Sequence, residues 1–190
     1  MGAKIYDKDC MGCKYSQEIQ KPRGGIIKLD RHWILNHYAG PEGFLGWVAL
    51  QPRYHRMELT DLNTDEANAL GRNIENIDRA LREYWAIKFP GDLVRRVYVV
   101  YFFESAFEKT QNQYHLHFHL IPRTEKFRSL SKCGSTLIGW DIHRLSKHKD
   151  FPPEYQIRET DYQTEERNKE NRQKVEEFMT YLRGQLESPS

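Results

Sequence analysis

The chain has 190 residues, enough for one domain with a hydrophobic core of its own and an appendage. Its 29 basic and 27 acidic residues give a formal net charge of +2, which argues against an extended basic surface for binding nucleic acid. Any phosphate group would therefore have to be bound at a local site. No apolar run approaches the roughly 20 residues of a membrane span, and residues 1–9 lack the apolar stretch of a secretory signal. We therefore expect a cytoplasmic protein without a membrane partner.

A Cys-x-x-Cys pair, Cys10 and Cys13, stands near the start of the chain. Three cysteines do not make a disulfide framework in a protein of this size. In a reducing compartment such a pair is more often a metal or redox site. Two free thiols near the N-terminus are the alternative.

The segments that follow predict an antiparallel sheet. Residues 26–29 and 32–37 carry strand-type apolar side chains and flank residues 30–31, a pattern that indicates a hairpin. The apolar run 44–51 is short enough for a buried strand and is closed by a proline. These segments would supply three strands.

A long helix is predicted next, from Thr64 to Lys88. Thr64 is a good N-cap, and Asp65 and Glu66 stand in the first turn, where acidic side chains are favourable. Apolar residues recur at helical spacing as Ala67, Leu70, Ile74, Ile77, Leu81, Tyr84 and Trp85. This stripe predicts a packing surface and no function.

The second half of the chain begins with a further segment of strand-type residues. Residues 94–103 are β-branched and aromatic, typical of a central strand, and the polar loop 104–113 leads to a further strand that would pair antiparallel with it. Near the C-terminus an amphipathic stripe predicts a helix that docks on the domain or on a second subunit. We therefore expect a catalytic domain over residues 1–127 and an extension over 128–190.

Residues 114–123 read Tyr-His-Leu-His-Phe-His-Leu-Ile-Pro-Arg and alternate three histidines with large apolar residues. In a strand, successive side chains point to opposite faces, so His115, His117 and His119 would line one face. Imidazole can serve as nucleophile, proton carrier or metal ligand near neutral pH. A half-buried strand with a histidine-rich polar face is the alternative.

This alternation resembles the His-x-His-x-His signature of the histidine triad (HIT) family of nucleotidyl hydrolases and transferases. Residues 46–55, Gly-Trp-Val-Ala-Leu-Gln-Pro-Arg-Tyr-His, are similar to the family's strand that runs through Pro-basic-x-His and precedes a helix. The similarity covers about residues 10–127. With the predicted elements it implies an α+β, HIT-like antiparallel sheet of about five strands, one long packed helix and a C-terminal helical extension. It also implies a homodimer.

The resemblance implies a nucleophilic mechanism. His117 would attack the α-phosphorus of a nucleotide and form a nucleotidyl-imidazole intermediate that water hydrolyses, with its other ring nitrogen donating to the carbonyl of His115. His119 would bond the phosphoryl oxygens or the leaving group. Transferase branches typically carry Gln at this third position, so the histidine favours hydrolysis over nucleotidyl transfer or phosphorolysis. A zinc-stabilised nucleotide-binding module without turnover is the alternative outside the enzymes.

Five further residues are candidates for substrate binding. Gln111 matches a family Gln that contacts phosphate, and Asn112 stands where many members have Ser or Thr. Arg123 could add positive charge at the phosphate, with a solvated arginine at a strand end as the alternative. Ile27 and Trp33 are candidates for the base pocket.

The resemblance also implies a structural zinc ion. Cys10, Cys13, His55 and His115 would form a closed Cys₂His₂ tetrahedral set, which pins the N-terminus to the histidine strand. A surface His55 with two free thiols is the alternative.

Two positions depart from the family pattern. Many members have His where this chain has Trp47, and relatives often have Asn near the position of Glu104. We expect Trp47 to be a core residue, with a wall of the nucleoside pocket as the alternative. A carboxylate at position 104 would repel phosphate unless it points away.

Overall fold

The computed structural model describes residues 5–22, 24–38, 43–101, 114–130, 149–157 and 165–187. The helices and strands in chain order are α1 (Met11–Ser16), β1 (Ile26–Leu29), β2 (Trp33–His37), β3 (Val48–Pro52), α2 (Thr64–Lys88), β4 (Val94–Val100), β5 (Phe118–Thr124), α3 (Glu125–Leu130) and α4 (Glu165–Glu187). Single 3₁₀ turns occur at Leu59–Asp61 and Pro153–Tyr155.

The five strands form one sheet in the order β1-β2-β3-β5-β4, and every neighbouring pair is antiparallel. The predicted α+β architecture is therefore confirmed, as are the hairpin and the pairing of β4 with β5. The turn of the hairpin is built by Asp30, whose Oδ1 accepts the backbone N–H groups of His32 and Trp33 at 2.8 and 2.7 Å. Because that turn uses residue 32, β2 begins one residue later than expected.

The long helix α2 has the predicted bounds but a different cap. Its N-cap is Asn63, not Thr64, because Asn63 and Glu66 bond each other reciprocally. The side-chain Oδ1 of Asn63 accepts from the Glu66 backbone at 3.0 Å, and the Glu66 carboxylate accepts from the Asn63 backbone at 2.9 Å. This capping box satisfies two backbone donors that a hydroxyl cap at Thr64 would leave open. The apolar stripe packs on the sheet through Ile77, Leu81, Tyr84 and Trp85.

Two further strands begin later than the sequence suggests. The run expected over 44–51 becomes β3 only at Val48, and Phe44 makes an isolated bridge with Gln156. Gly46 explains the delay, since its φ of +87° is left-handed and a Cβ there would lie 2.5 Å from the ring of Trp85. The histidine strand likewise begins only at Phe118, so the prediction that all three histidines lie on a strand was wrong for the first two.

The C-terminal helix α4 packs on the same core. The ring centre of Phe178 lies 5.0 Å from that of Tyr84 in α2 and 5.4 Å from that of His37 in β2. Arg183 donates to the backbone carbonyl of Ile26 in β1 at 2.8 Å. Docking on the domain is therefore confirmed, whereas the division into residues 1–127 and 128–190 stays a prediction.

Within the described ranges, no helix combines the length and the apolar character needed to cross a membrane.

Candidate active site and metal centre

Four metal-binding side chains meet at one end of the sheet. Cys10 and Cys13 come from the start of α1, His55 from the loop after β3, and His115 from the segment that leads into β5. Their ligand atoms all lie within 4.8 Å of one another, and all but His55 are buried. The structure thus assembles the set that the sequence resemblance implied.

The geometry of this cluster fits a tetrahedral metal ion. His115 Nδ1 lies 3.2 Å from Cys10 Sγ and 3.6 Å from Cys13 Sγ, and His55 Nδ1 lies 3.4 Å from Cys13 Sγ. Metal–ligand bonds of about 2.3 Å to sulfur and about 2.0 Å to nitrogen, at tetrahedral angles, require sulfur–nitrogen separations of about 3.5 Å. The four side chains can therefore hold a metal ion with little movement.

His115 is oriented for this role by its second ring nitrogen. Its Nε2 lies 2.9 Å from the backbone carbonyl of Pro52, at the end of β3. A carbonyl oxygen only accepts, so Nε2 carries the proton and Nδ1 directs its lone pair toward the thiols. The first histidine of the alternating set is committed to the cluster.

The two thiols influence each other strongly. A hydrogen bond from Cys13 lowers the pKa of the Cys10 thiol well below its usual range, and His115 adds to that effect. The same bond, together with burial, raises the pKa of Cys13. Since a thiolate is the metal-binding form, one of the two sulfurs is ready to bind a cation.

The short helix α1 is fastened to the sheet at Gly12. Gln51 of β3 donates from its side chain to the Gly12 carbonyl at 3.0 Å, and Ser16 donates to the same oxygen. A Cβ on residue 12 would lie 2.4 Å from Cγ of His115, so only glycine allows this approach. The glycine inside the Cys-x-x-Cys pair is the sequence signal for this contact.

A buried ion pair supports the approach to β5, and the sequence analysis missed it. Arg56 donates to both carboxylate oxygens of Glu66 at 2.9 and 3.0 Å, and both side chains are almost fully buried. The backbone carbonyl of Arg56 accepts the N–H of Leu116 at 2.7 Å. The pair therefore fixes the N-terminal end of α2 to the residue between His115 and His117.

The other two histidines lie side by side. His117 Nδ1 is 2.8 Å from the carbonyl oxygen of His115, the hydrogen bond that the resemblance implied. His117 is half-buried, and its ring centre lies 4.9 Å from that of His119 at an interplanar angle of 84°. His119 belongs to β5 and is 6% exposed.

Trp47 is buried as expected, but it is more than a core residue. Its indole Nε1 donates to Nδ1 of His119 at 2.9 Å. The sequence signal for this contact is the departure at position 47, where the family resemblance leads us to expect a histidine. The sequence analysis predicted only burial for Trp47, whereas the structure shows that its indole also contacts His119.

Arg123 lies on the same face of β5 as His119, four residues further along. It is 5% exposed, so the interpretation as a solvated arginine was wrong. The guanidinium lies 5.6 Å from the ring centre of Tyr98, and its Nη1 and Nη2 have no hydrogen-bond partner in the part of the chain that the structure describes. Buried guanidinium N–H groups that lack an acceptor are costly, so an anion at these two nitrogens would stabilise the side chain.

The two candidates for a base pocket lie in the hydrophobic core. Trp33 pairs with Pro52 whereas His119 pairs with Ala49, so Trp33 and His119 point to opposite faces of the sheet. The indole of Trp33 donates to the backbone carbonyl of Glu66 in α2 at 3.0 Å. Ile27 is 3% exposed in the same core. Gln111, Asn112 and Glu104 fall outside the described residues.

Comparison with solved structures shows the fold. A hypothetical histidine triad nucleotide-binding protein from Sulfolobus tokodaii is similar at a TM-score of 0.55, with 15% identity over 94% of this chain and 92% of that chain. A Hit-like protein from Bartonella henselae described as involved in cell-cycle regulation has a TM-score of 0.49, with 19% identity over 92% and 99%. A zinc-bound histidine triad family protein from Mycobacterium smegmatis has a TM-score of 0.48, with 17% identity over 72% and 88%.

The fold is therefore HIT-like, which confirms the resemblance at the level of architecture. No protein-family model matches the sequence, and no curated protein sequence matches it. The comparisons therefore show the fold and no particular reaction.

Proposed function

We propose that the protein is a nucleotide hydrolase that attacks the α-phosphate of a nucleoside phosphoramidate or a dinucleoside polyphosphate and releases a nucleoside monophosphate. The observation that carries the proposal is the hydrogen bond between His117 Nδ1 and the carbonyl of His115. Since a carbonyl only accepts, Nδ1 holds the proton and Nε2 keeps its lone pair. An imidazole in this tautomer is a nucleophile without prior deprotonation.

The reaction proceeds in two displacements. His117 Nε2 forms a bond to the α-phosphorus while the bond from phosphorus to the leaving group breaks. The leaving group departs with the electron pair, a phosphate as the anion and an amine with a proton taken from solvent. The positive charge on the substituted ring is stabilised by the Nδ1–H bond to the His115 carbonyl. Water then attacks phosphorus, the phosphorus–Nε2 bond breaks, and the proton of the water passes to solvent. His119 is the second catalytic residue, a hydrogen-bond donor at the phosphoryl group.

We propose zinc for the metal centre. Two cysteines and two histidines in tetrahedral arrangement are typical of a closed structural site, which leaves no coordination position for substrate or water. The ion would cross-link Cys10 and Cys13 of α1 to His55 and His115 and so hold the backbone next to His117 in place. The ion would have a structural role only, and the histidines would carry out both displacement steps.

Arg123 is proposed as a phosphate ligand. Its position four residues from His119 corresponds to about 13 Å along a strand, too far for the attacked phosphate but suitable for a more distant one. A phosphate oxygen would supply the anion that the buried guanidinium lacks among the described residues. Gln111 and Asn112 are proposed as ligands of the α-phosphate on the strength of the sequence resemblance.

One incubation series tests the proposal. The protein is mixed with a dinucleoside tetraphosphate or with adenosine phosphoramidate, with and without inorganic phosphate. Release of monophosphate that is independent of phosphate supports hydrolysis. A phosphate-dependent diphosphate product would identify a phosphorylase, and transfer to another acceptor a nucleotidyltransferase. Tight binding without any product would identify a zinc-stabilised nucleotide-binding module, and each of these three results would overturn the hydrolase.

We further propose a cytoplasmic homodimer whose catalytic domain is residues 1–127. Cys10 and Cys13 are buried and form no disulfide, which is typical of a reducing compartment. Light scattering of the purified chain measures its mass directly, and a mass of one chain would overturn the dimer.

A further inference from the structure

The contact between Trp47 and His119 restricts where His119 carries its proton. The indole Nε1–H lies 2.9 Å from His119 Nδ1, and the two rings meet at 80°. Both side chains are buried. The ring centre of Tyr38 lies 4.6 Å from that of Trp47 and 5.2 Å from that of His119. An indole nitrogen can only donate, so His119 Nδ1 must accept and cannot hold a proton.

The two histidines therefore have opposite tautomers. A neutral imidazole carries one proton, which Trp47 forces onto Nε2 of His119. In His117 the carbonyl of His115 holds the proton on Nδ1 instead. The pair thus offers a lone pair on one Nε2 and an N–H on the other, which suits a nucleophile beside a donor for a phosphoryl oxygen.

The same contact opposes general acid catalysis by His119. A histidine that gives a proton to a leaving group at neutral pH does so as an imidazolium, with protons on both nitrogens. A proton on Nδ1 would face the indole N–H, which has no acceptor to offer, and would break the bond at 2.9 Å. The neutral ring could give up its Nε2 proton only by becoming an imidazolate. His119 is therefore a hydrogen-bond donor that keeps its proton.

The leaving groups in question differ in whether they need that proton. When a phosphorus–oxygen bond of a polyphosphate breaks, the electron pair stays on a phosphate oxygen, which is stable as an anion at neutral pH. When a phosphorus–nitrogen bond of a phosphoramidate breaks, the amine must gain a proton as it leaves. General acid catalysis is worth about 10²- to 10⁴-fold for a group of the second kind.

We infer that Trp47 is a positioning residue that holds His119 as a neutral Nε2–H donor, and that the site thereby prefers substrates with a phosphate leaving group over those with an amine. This inference rests on the proposed hydrolase and narrows its substrate to dinucleoside polyphosphates and related anhydrides. Arg123, a buried cation further along the same face, is consistent with a substrate that has several phosphates.

The tautomer is tested first and without turnover. In protein labelled with ¹⁵N, correlation of the ring nitrogens with the ring protons should show His119 Nδ1 as an unprotonated acceptor and Nε2 as protonated. The Trp47→Phe variant keeps a ring but loses the N–H, so the signature of an accepting Nδ1 should disappear and the two tautomers should both be populated. A proton on Nδ1 of His119 in the wild-type protein would overturn the inference.

The leaving-group preference is tested with two substrates that share an adenosine α-phosphate, a dinucleoside tetraphosphate and adenosine phosphoramidate. The wild-type kcat/KM should favour the tetraphosphate by about 10²-fold or more, the worth of the missing general acid. Trp47→His offers a nitrogen that can accept as well as donate, so it should shift the ratio toward the phosphoramidate by at least about tenfold. Equal cleavage of both substrates by the wild type, or an unchanged ratio in Trp47→His, would overturn the preference.

Failure of the inference can be told apart from failure of the proposed function. Turnover of both substrates at equal rates removes the preference and leaves the hydrolase intact. No turnover of either substrate, with the tautomers as assigned, overturns the hydrolase and the substrate preference together and leaves the positioning of His119 by Trp47 standing. Because the spectrum is recorded on the wild-type protein, the assignment of the tautomer does not depend on a variant that folds.

Discussion

Gly12 lies so close to His115 that a Cβ on residue 12 would be 2.4 Å from Cγ of the imidazole ring. The Gly12→Ala substitution must therefore displace α1 or the ring. Changes next to a metal ligand typically cost about 10- to 100-fold in metal affinity, and we expect a loss of that size in competition with a zinc chelator.

Gly71→Ala is the matched control for this substitution. Gly71 lies inside α2, and a Cβ added there would meet no described atom within 4 Å. Alanine is favoured over glycine in a helix, so this variant should gain about 0.5–1 kcal/mol in free energy of unfolding and bind zinc normally. Equal zinc affinity in Gly12→Ala and Gly71→Ala would contradict the close packing of α1 on His115.

Zinc itself should be present at one ion per chain. The double variant Cys10→Ser, Cys13→Ser removes both sulfur ligands, and elemental analysis should then find no zinc. Because the ion binds only the folded chain, free zinc at 1,000 times its dissociation constant adds about 4 kcal/mol to stability, which the double variant should lack. A wild-type protein that is isolated without metal, and whose melting temperature does not respond to added zinc, would end the assignment.

The buried pair of Arg56 and Glu66 should be a sensitive point of the fold. Glu66→Gln leaves the Arg56 cation buried without its anion, and loss of one partner of such a pair costs about 3–5 kcal/mol. The exposed pair of Lys88 and Glu177, 3.4 Å apart, is the control. Glu177→Gln should cost less than about 1 kcal/mol in urea unfolding. Similar costs for the two variants would contradict a structural role for the buried pair.

Substitution of His117 tests the nucleophile. His117→Ala removes the attacking Nε2, so turnover should be abolished and no nucleotidyl adduct should appear by mass spectrometry of rapidly quenched protein. Nucleotide should still bind, because the ligands around the phosphate remain. His32→Ala, which changes a histidine of the hairpin turn, should keep full activity. Full activity in His117→Ala would show that the mechanism is wrong.

Local patterns in the sequence were sufficient for most of the fold. The apolar spacing predicted α2 with both bounds, and the short β-rich segment 26–29 predicted β1, because each element is specified by neighbours in the chain. The cap of α2 was misplaced by one residue because Asn63, which precedes Thr64, forms a reciprocal pair of hydrogen bonds with Glu66. The preference of a single residue type for the N-cap position does not predict that reciprocal pairing.

The features that define the site depend on contacts between distant residues. Trp47 and His119 are 72 positions apart, and the strand pairing alone brings them together. Arg56 directly follows His55, a candidate metal ligand, but its partner Glu66 has the sequence position of an ordinary acidic residue in the first turn of a helix. The four candidate metal ligands could be named from the sequence because the HIT resemblance implied the set, whereas the tautomers of the histidines could be assigned only from the three-dimensional structure.

His37 gives the protein a dependence of stability on pH that can be measured apart from any activity. The side chain is 1% exposed beneath α4, with its ring 5.4 Å from that of Phe178. Across the described ranges, neither ring nitrogen has a hydrogen-bond partner. Burial lowers the pKa of His37 from 6.5 to about 3. Between pH 6.5 and about pH 3, His37 is therefore protonated in the unfolded state and neutral in the folded state.

The sign of the effect follows from this difference in pKa. Above pH 6.5 neither state is protonated at His37 and the residue has no effect on the pH dependence. As the pH falls from 6.5 toward 3, the free energy of unfolding should decrease by about 1.4 kcal/mol per pH unit, or about 2 kcal/mol by pH 5. His37→Phe keeps a ring against Phe178 and cannot be protonated. In urea unfolding, the free energy of unfolding should therefore fall less between pH 7.5 and pH 5 in this variant than in the wild type, by about 2 kcal/mol. The protonation of the cysteine and histidine ligands is common to both proteins and cancels in the comparison. Equal losses in the wild type and in His37→Phe would mean that His37 is protonated in the folded state.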